Sequence, residues 1–240
     1  MSIADNVKRV HDRIDAACAK AKRAPSEITL VAVSKQKTVA DIVSAAEAGI
    51  QHIGENRVEE CIGKIAPVQA AAPGPLTWHM VGHVQSRKAK RVIQHFDIVQ
   101  SLDSLRLARR FSRLAGDSDQ MLAAFLEINV SGEASKHGFA GYNWYQDNAV
   151  KDRLLRELGE LFELPRLDIR GLMTMAPFEA EEGMIRRVFA DLAALREELQ
   201  DSLGVSLPEL SMGMTDDFEW AIAEGSTMIR VGRALFGSRS

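Results

Sequence analysis

A lysine closes the first apolar run of the chain, ITLVAVSK over 28–35, directly ahead of the helical pattern TVADIVSAAEAG. Side chains alternate along a strand, so Val31, Val33 and Lys35 share a face. If that face lines a barrel, the Lys35 ammonium stands at the mouth of an apolar core. Desolvation and a nearby cation lower an amine's pKa and leave a neutral nucleophile for a carbonyl. The matching chemistry is a Schiff base with an aldehyde. A solvated lysine at a strand end is the simpler alternative, because lysine is rarely buried. The other strand ends decide between the two.

The last apolar run, MIRVGRALFG over 228–237, carries Arg230, Gly232 and Arg233. Strand parity points Arg230 inward. A glycine lets backbone N–H groups approach a ligand closely, and loops after the seventh and eighth strands of a barrel recurrently bind phosphate. The backbone of Gly232 and Arg233, with the hydroxyl of Ser211 from the preceding run, is therefore a candidate anion cradle. Close packing is the alternative for Gly232 alone. In LTWHMVGH, His79, Val81 and His83 share a face. His79 reads as a hydrogen-bonded core histidine and His83, nearer the mouth, as a candidate ligand contact. Glu55, Asn56 and Asn129 close other runs, and Met173, Met175, Met212 and Met214 read as pocket wall. EGST over 224–227 precedes the last strand and belongs at the opposite rim, with Gly225 a helix C-cap and Ser226 and Thr227 structural. The basic stretch SRKAKR over 86–91 reads as the exposed start of a helix.

These positions need a scaffold. Eight short apolar runs are expected as strands: 28–35, 51–56, 76–83, 96–103, 123–130, 167–175, 207–214 and 228–237. Amphipathic stretches lie between them at 38–48, 56–65, 85–95, 104–115, 147–163, 180–203 and 216–224, and a helical repeat over 3–22 precedes them all. Thr38 with Asp41, and Gly49 beyond, mark the start and stop of one helix, while Asp216 and Asp217 open the last. Strict alternation implies right-handed βαβ units and a parallel sheet. Eight units predict an α/β fold, a (β/α)8 TIM barrel with an extra N-terminal helix, occupying 1–240 as one domain. A doubly wound open sheet is the alternative. The polar and aromatic stretch SKHGFAGYNWYQDN over 135–148 is expected as a long loop, a surface excursion or a lid.

Bulk properties narrow the function class. A net charge of −3 over 240 residues argues against a general nucleic-acid binder. There is no run of apolar residues long enough to span a membrane, and the N-terminus lacks the apolar centre of a signal peptide. Two cysteines, Cys18 and Cys61, form neither a disulfide framework nor a metal-ligand spacing. A reduced, cytoplasmic setting is expected.

The segments LVAVSKQKTVADI, HIGENRVEE, WHMVGHVQSRK, EINVSGEASKHGF, RGLMTMAP and LSMGMTDDFEWAIAEGSTMIRVGRALFG occur in this order. Together they resemble the pyridoxal phosphate homeostasis proteins, from about residue 5 to 237. The resemblance implies a barrel similar to the N-terminal domain of alanine racemase, with pyridoxal 5′-phosphate (PLP) as the aldehyde on Lys35. It implies that Arg230 faces the pyridine nitrogen, that Ser211, Gly232 and Arg233 bind the phosphate, and that Asn56 and His83 line the cofactor. Two features depart from the pattern. The loop 138–150 is longer and more aromatic than expected, and Arg233 stands where a small or hydroxylated residue is expected.

Catalysis and carriage make different demands. A cation at the pyridine nitrogen weakens the ring as an electron sink. Racemisation also needs a second base opposite Lys35, which alanine racemases take from a further domain. The sequence ends soon after the last expected strand, and no such domain is expected here. Tyr142 and Tyr145 are the only tyrosines, both in the long loop. The expected function is therefore PLP homeostasis: binding PLP through a Schiff base, buffering it and delivering it to apo-enzymes. A slow amino-acid racemase is the alternative, and a PLP-responsive scaffold a third. PLP and apo PLP-dependent enzymes are the expected partners, with neither nucleic acid nor membrane, and a monomer is the expected state.

Overall fold

The computed structural model describes residues 2–237. The chain opens with helix α1 (Ile3–Ala21), capped by reciprocal bonds between Ser2 and Asp5, and runs into strand β1 (Thr29–Val33). Then follow α2 (Val39–Glu47), β2 (His52–Glu55), α3 (Val58–Ala71), β3 (Thr77–Met80), α4 (Ala89–His95), β4 (Ile98–Leu102), α5 (Leu105–Asp117), β5 (Leu122–Asn129) and β6 (Phe139–Ala140). The remainder is α6 (Asn148–Phe162), β7 (Leu167–Met173), α7 (Glu182–Leu203), β8 (Glu209–Ser211), α8 (Phe218–Ala223), β9 (Met228–Val231) and α9 (Arg233–Phe236).

All strand pairs are parallel, in the order β4-β3-β2-β1-β9-β8-β7-β5, and β4 also pairs with β5. That last ladder closes the sheet, so the fold is the expected (β/α)8 barrel and not an open sheet. Parity along the strands sorts the side chains into two cores. Val31, Ile98, Ala123, Phe125, Met173 and Met228 pack together inside the barrel. A larger cluster, including Trp78, Phe111, Leu126, Phe189 and Ile229, lies between strands and helices. Burying both faces explains why the strands read as near-continuous apolar runs.

The extra N-terminal helix has a structural task. Among the described residues only the one-turn α9 follows β9, and α1 packs against α8, α9 and α2. Its Asn6 donates to Leu235 O at 2.8 Å, Arg13 pairs with Glu219 at 2.7 Å, and Arg23 donates to Ser226 O at 2.6 Å. α1 thus covers the wall that a full eighth helix would cover.

Four boundaries differ from the sequence reading. The last strand was expected to reach 237, but it ends at Val231 and the chain turns into α9. α3 runs on to Ala71, with Pro67 inside it, because Val68 is buried against the core. The SRKAKR stretch begins as a 3-10 turn over Ser86–Lys88 before α4. The segment 135–148 is not a free excursion: β6 pairs with Ile128 and Asn129, and the Trp144 indole is buried with its N–H donated to Asp191 O at 3.3 Å. No helix of the described chain is long and apolar enough to cross a membrane.

Candidate functional site

The C-terminal ends of β1 and β9 lie side by side, with Val31 opposite Arg230 in the ladder. Lys35 follows β1 in a turn and is half-buried. Arg230 points into the barrel and is 5% exposed. Its Nη1 donates to Ser211 Oγ at 2.6 Å and its Nη2 to Thr174 O at 2.8 Å. Burial pulls its pKa down to about 10, with Asp217 and Glu127 opposing the fall, so the guanidinium stays charged at neutral pH. Gly232 sits beyond β9, where a Cβ would come within 3.2 Å of Val33 O. The glycine therefore serves the close approach of β9 to the strand that carries Lys35.

The turn bearing Lys35 is held from outside the barrel. Ser34 donates its hydroxyl to Glu55 Oε1 at 2.6 Å, and Lys37 N donates to Ser34 O at 3.0 Å. Gln36, at φ +61°, donates its backbone N–H to Glu60 Oε1 at 2.5 Å. Lys64 from α3 binds Ser34 O at 3.2 Å, Glu55 at 3.1 Å and Glu60 at 2.6 Å. Glu55 is fully buried and its Oε2 has no partner. Burial raises its pKa, against the pull of Ser34 and Lys64. Parity turns Glu55 away from the barrel interior, so this carboxylate braces the lysine turn.

Other predicted residues take different places. The Ser211 hydroxyl, expected on a phosphate, is fully buried inside the barrel, where it donates to Gln100 Oε1 at 2.6 Å and accepts from Arg230. Its position is deep because β8 places it level with Met173 of β7. The Arg233 side chain, expected to add charge to an anion site, is paired with Asp216. Asn56 and His83 share the lining of a cavity of about 300 Å³ with Arg57, Gly82 and Lys88, and that lining includes neither Lys35 nor Arg230. Gly82 is required there, since a Cβ would meet Asn56 O at 2.3 Å. The exposed His83 bonds Asp103 at 2.7 Å and stacks on His137 with centroids 3.9 Å apart.

Sequence reading missed Gln100 and Glu127. Glu127, on the interior face of β5, is 4% exposed. Burial raises its pKa to about 7, Asp103 adds to the rise and Arg230 opposes it. Each is a polar residue inside an otherwise apolar strand run, and that was the available signal. Ser226 proved structural as expected, its hydroxyl meeting Leu210 O, Met212 O and Met228 O at the other rim.

The set comprises an amine at a strand end, a buried guanidinium on the neighbouring strand and a glycine between them. An aldehyde bearing a ring nitrogen and an anionic tail suits these donors. The family described as alanine racemase, N-terminal domain, matches residues 4–240. The pyridoxal phosphate homeostasis protein of Pseudomonas aeruginosa is 41% identical over 239 residues, covering 99% of this chain and 96% of that one. The protein of the same name from Escherichia coli K12 is 39% identical over 241 residues, covering 99% and 97%. Among solved structures, PipY of Synechococcus elongatus with PLP bound is similar at a TM-score of 0.79 and 38% identity, covering 93% of this chain and 100% of that one. Alanine racemase of Clostridium difficile shares the fold, with a TM-score of 0.70 at 17% identity and 57% of its length covered. By sequence, fold and the arrangement of its strand ends, the chain belongs to the pyridoxal phosphate homeostasis protein family.

Proposed function

We propose that this protein binds PLP at the C-terminal mouth of its barrel and serves intracellular PLP homeostasis, buffering the cofactor and delivering it to apo-enzymes. The observation that carries the reading is the adjacency of β1 and β9, which puts Lys35 beyond the buried, charged Arg230. The residues fit the group. Lys35 supplies the amine for the aldehyde. Arg230 presents a permanent cation to the ring nitrogen. The backbone N–H groups of Gly232 and Arg233, at the start of α9, would hold the phosphate. Ser211 acts from beneath, holding Arg230. Asn56 and His83 would stand at the edge of the site, in the separate cavity they line beyond β2 and β3. Bound PLP supplies an electrophilic carbon and an electron-accepting ring; the charge on Arg230 keeps a proton off the ring nitrogen and limits that acceptance.

Carriage is favoured over racemisation by where the tyrosines are. The Tyr145 hydroxyl is engaged by Arg187 on the outer helix α7, and the Tyr142 ring lies against Gly132. Both rings are substantially exposed. Neither has the buried, fixed setting that a catalytic base needs. We place the protein in the cytoplasm as a monomer. The test begins with the absorption spectrum of the protein with PLP, beside Lys35→Ala. A visible band that borohydride bleaches, present in wild type and lost in the variant, supports the site; no band in wild type ends the reading. Transfer of PLP to an apo-enzyme in the presence of a free-PLP scavenger then supports delivery. Exchange of an amino acid's α-proton in deuterated water above the rate of free PLP would instead favour the racemase.

A further inference from the structure

A column of hydrogen bonds runs through the barrel interior. Arg230 Nη1 meets Ser211 Oγ at 2.6 Å, Ser211 Oγ meets Gln100 Oε1 at 2.6 Å, and Gln100 Nε2 meets His79 Nδ1 at 2.9 Å. His79 Nε2 then meets His52 Nδ1 at 3.0 Å. Ser211, Gln100 and His79 are fully buried, and His52, at the start of β2, is half-buried. The column thus links the N-terminal rim of the barrel to the guanidinium at the opposite end.

Its proton inventory is fixed from both sides. A guanidinium only donates, so Ser211 Oγ accepts from Arg230 and has one proton left, which goes to Gln100 Oε1. The Gln100 amide nitrogen must then face His79. Met228 Sδ, 3.1 Å from Gln100 Nε2, enforces the same orientation, because a thioether only accepts. His79 Nδ1 is therefore an acceptor, its proton sits on Nε2, and His52 Nδ1 accepts in turn. Every bond is donated in one direction, away from Arg230. Burial, which holds His79 neutral with a pKa near about 3, agrees with this assignment.

We infer that Gln100 and His79 are positioning residues for Arg230. Gln100, oriented by His79, accepts the Ser211 hydroxyl's hydrogen bond and so turns the serine lone pairs to Arg230, which anchors one arm of the guanidinium while Thr174 O anchors the other. If the column were reversed, the serine would receive a proton from Gln100 and its own would compete with Arg230 for space and direction. The inference deepens the proposed PLP site and rests on it for its consequence, but the tautomers belong to the chain alone.

The test has a cofactor-free arm and a loaded arm. In the first, long-range proton–nitrogen NMR of the histidine-labelled protein without PLP reads the tautomers. Both His79 and His52 are expected neutral with the proton on Nε2; a His79 proton on Nδ1 overturns the inference, whether or not PLP binds. In the second, Gln100→Leu keeps Lys35 and Arg230 but removes the serine's proton acceptor. PLP release is expected to quicken about tenfold, the effect of one neutral hydrogen bond's worth of free energy, with a displaced visible band. His79→Gln, which can accept from Gln100 and donate to His52, is expected to restore wild-type release where His79→Leu does not. Release and spectrum unchanged in Gln100→Leu would overturn the positioning role. A wild-type protein that takes up no PLP would sink the functional reading and leave the NMR result standing.

Discussion

Two buried polar networks hold the two basic residues of this site, and they are built differently. Beneath Arg230 lies a neutral column, His52–His79–Gln100–Ser211, in which each group has a partner and the protons run one way. Behind Lys35 lies an ionic clamp, Glu55–Lys64–Glu60, in which Lys64 is 12% exposed and one oxygen of the buried Glu55 has no partner. The column fixes a direction, because hydrogen bonds between neutral groups are orientational. The clamp fixes a place, because charges attract over distance with loose angular demands. A residue that must aim at a ring atom is served by the first. A residue that must reach an aldehyde is served by a turn held firmly in place, which the second provides.

The comparison breaks most visibly if the clamp is opened. Glu55→Ala leaves Lys64 partly desolvated and Ser34 without its acceptor. Lys64 keeps Glu60, so the cost comes from the orphaned Ser34 hydroxyl and the lost charge-assisted bond, together about 3 kcal/mol. Urea unfolding is expected to show a loss of that order, with weakened PLP retention because the Lys35 turn is no longer braced. A loss no larger than that of an exposed substitution would mean that Glu55 is already protonated and the clamp is not ionic.

Opening the column is expected to cost less. His79→Leu removes both bonds of a fully buried ring and leaves the Gln100 N–H and His52 Nδ1 unpaired. Each orphaned group costs about 1–3 kcal/mol, partly offset by the apolar gain, so a net loss of about 2 kcal/mol is expected in the same urea experiment. Gln100→Leu should fall in that range. If His79→Leu proved as stable as wild type, water would be relaying the bonds and the column would not be a dry, directed structure.

The strand ends were legible in sequence because polarity is unusual there: Lys35 and Arg230 interrupt apolar runs, and parity aims them. Depth was not legible. Ser211 sits at the end of a strand expected to run on to 214; only the register with Met173 shows that its hydroxyl lies inside the barrel, level with Gln100. Long-range partners were invisible for a similar reason. Nothing local in VQSLDS pairs Asp103 with His83, or sets Gln100 between His79 and Ser211. Lys64 carries no local signal of its task, which depends on α3 bringing it to Ser34 and Glu55. The helix expected over 56–65 runs on past Pro67 to Ala71, with Val68 buried. The long aromatic loop was overestimated as a free element, because its tie, Trp144 on Asp191 O, comes from a helix far along the chain.

The smallest and sharpest test uses pH, since the column and the interior carboxyl beside it have opposite signs. His79 has a folded pKa near about 3, below its ordinary 6.5, because burial penalises its charged form. Between those values the unfolded chain binds more protons, so His79 makes stability rise with pH, and that contribution is lost as pH falls. Glu127 has a folded pKa near about 7, above its ordinary 4.5, again chiefly from burial. Between those values the folded chain binds more protons, so Glu127 makes stability fall as pH rises. The windows overlap from 4.5 to 6.5, where the two slopes oppose each other and each is bounded by about 1.4 kcal/mol per pH unit. Urea midpoints followed across this range should therefore diverge between variants. Relative to wild type, Glu127→Gln should gain stability as pH rises, because only the falling contribution has been removed. His79→Leu should lose stability as pH rises, because only the rising one has gone. Parallel profiles for the two variants would mean that the interior carboxyl and the interior imidazole titrate alike, and that burial does not set their protonation as the geometry requires.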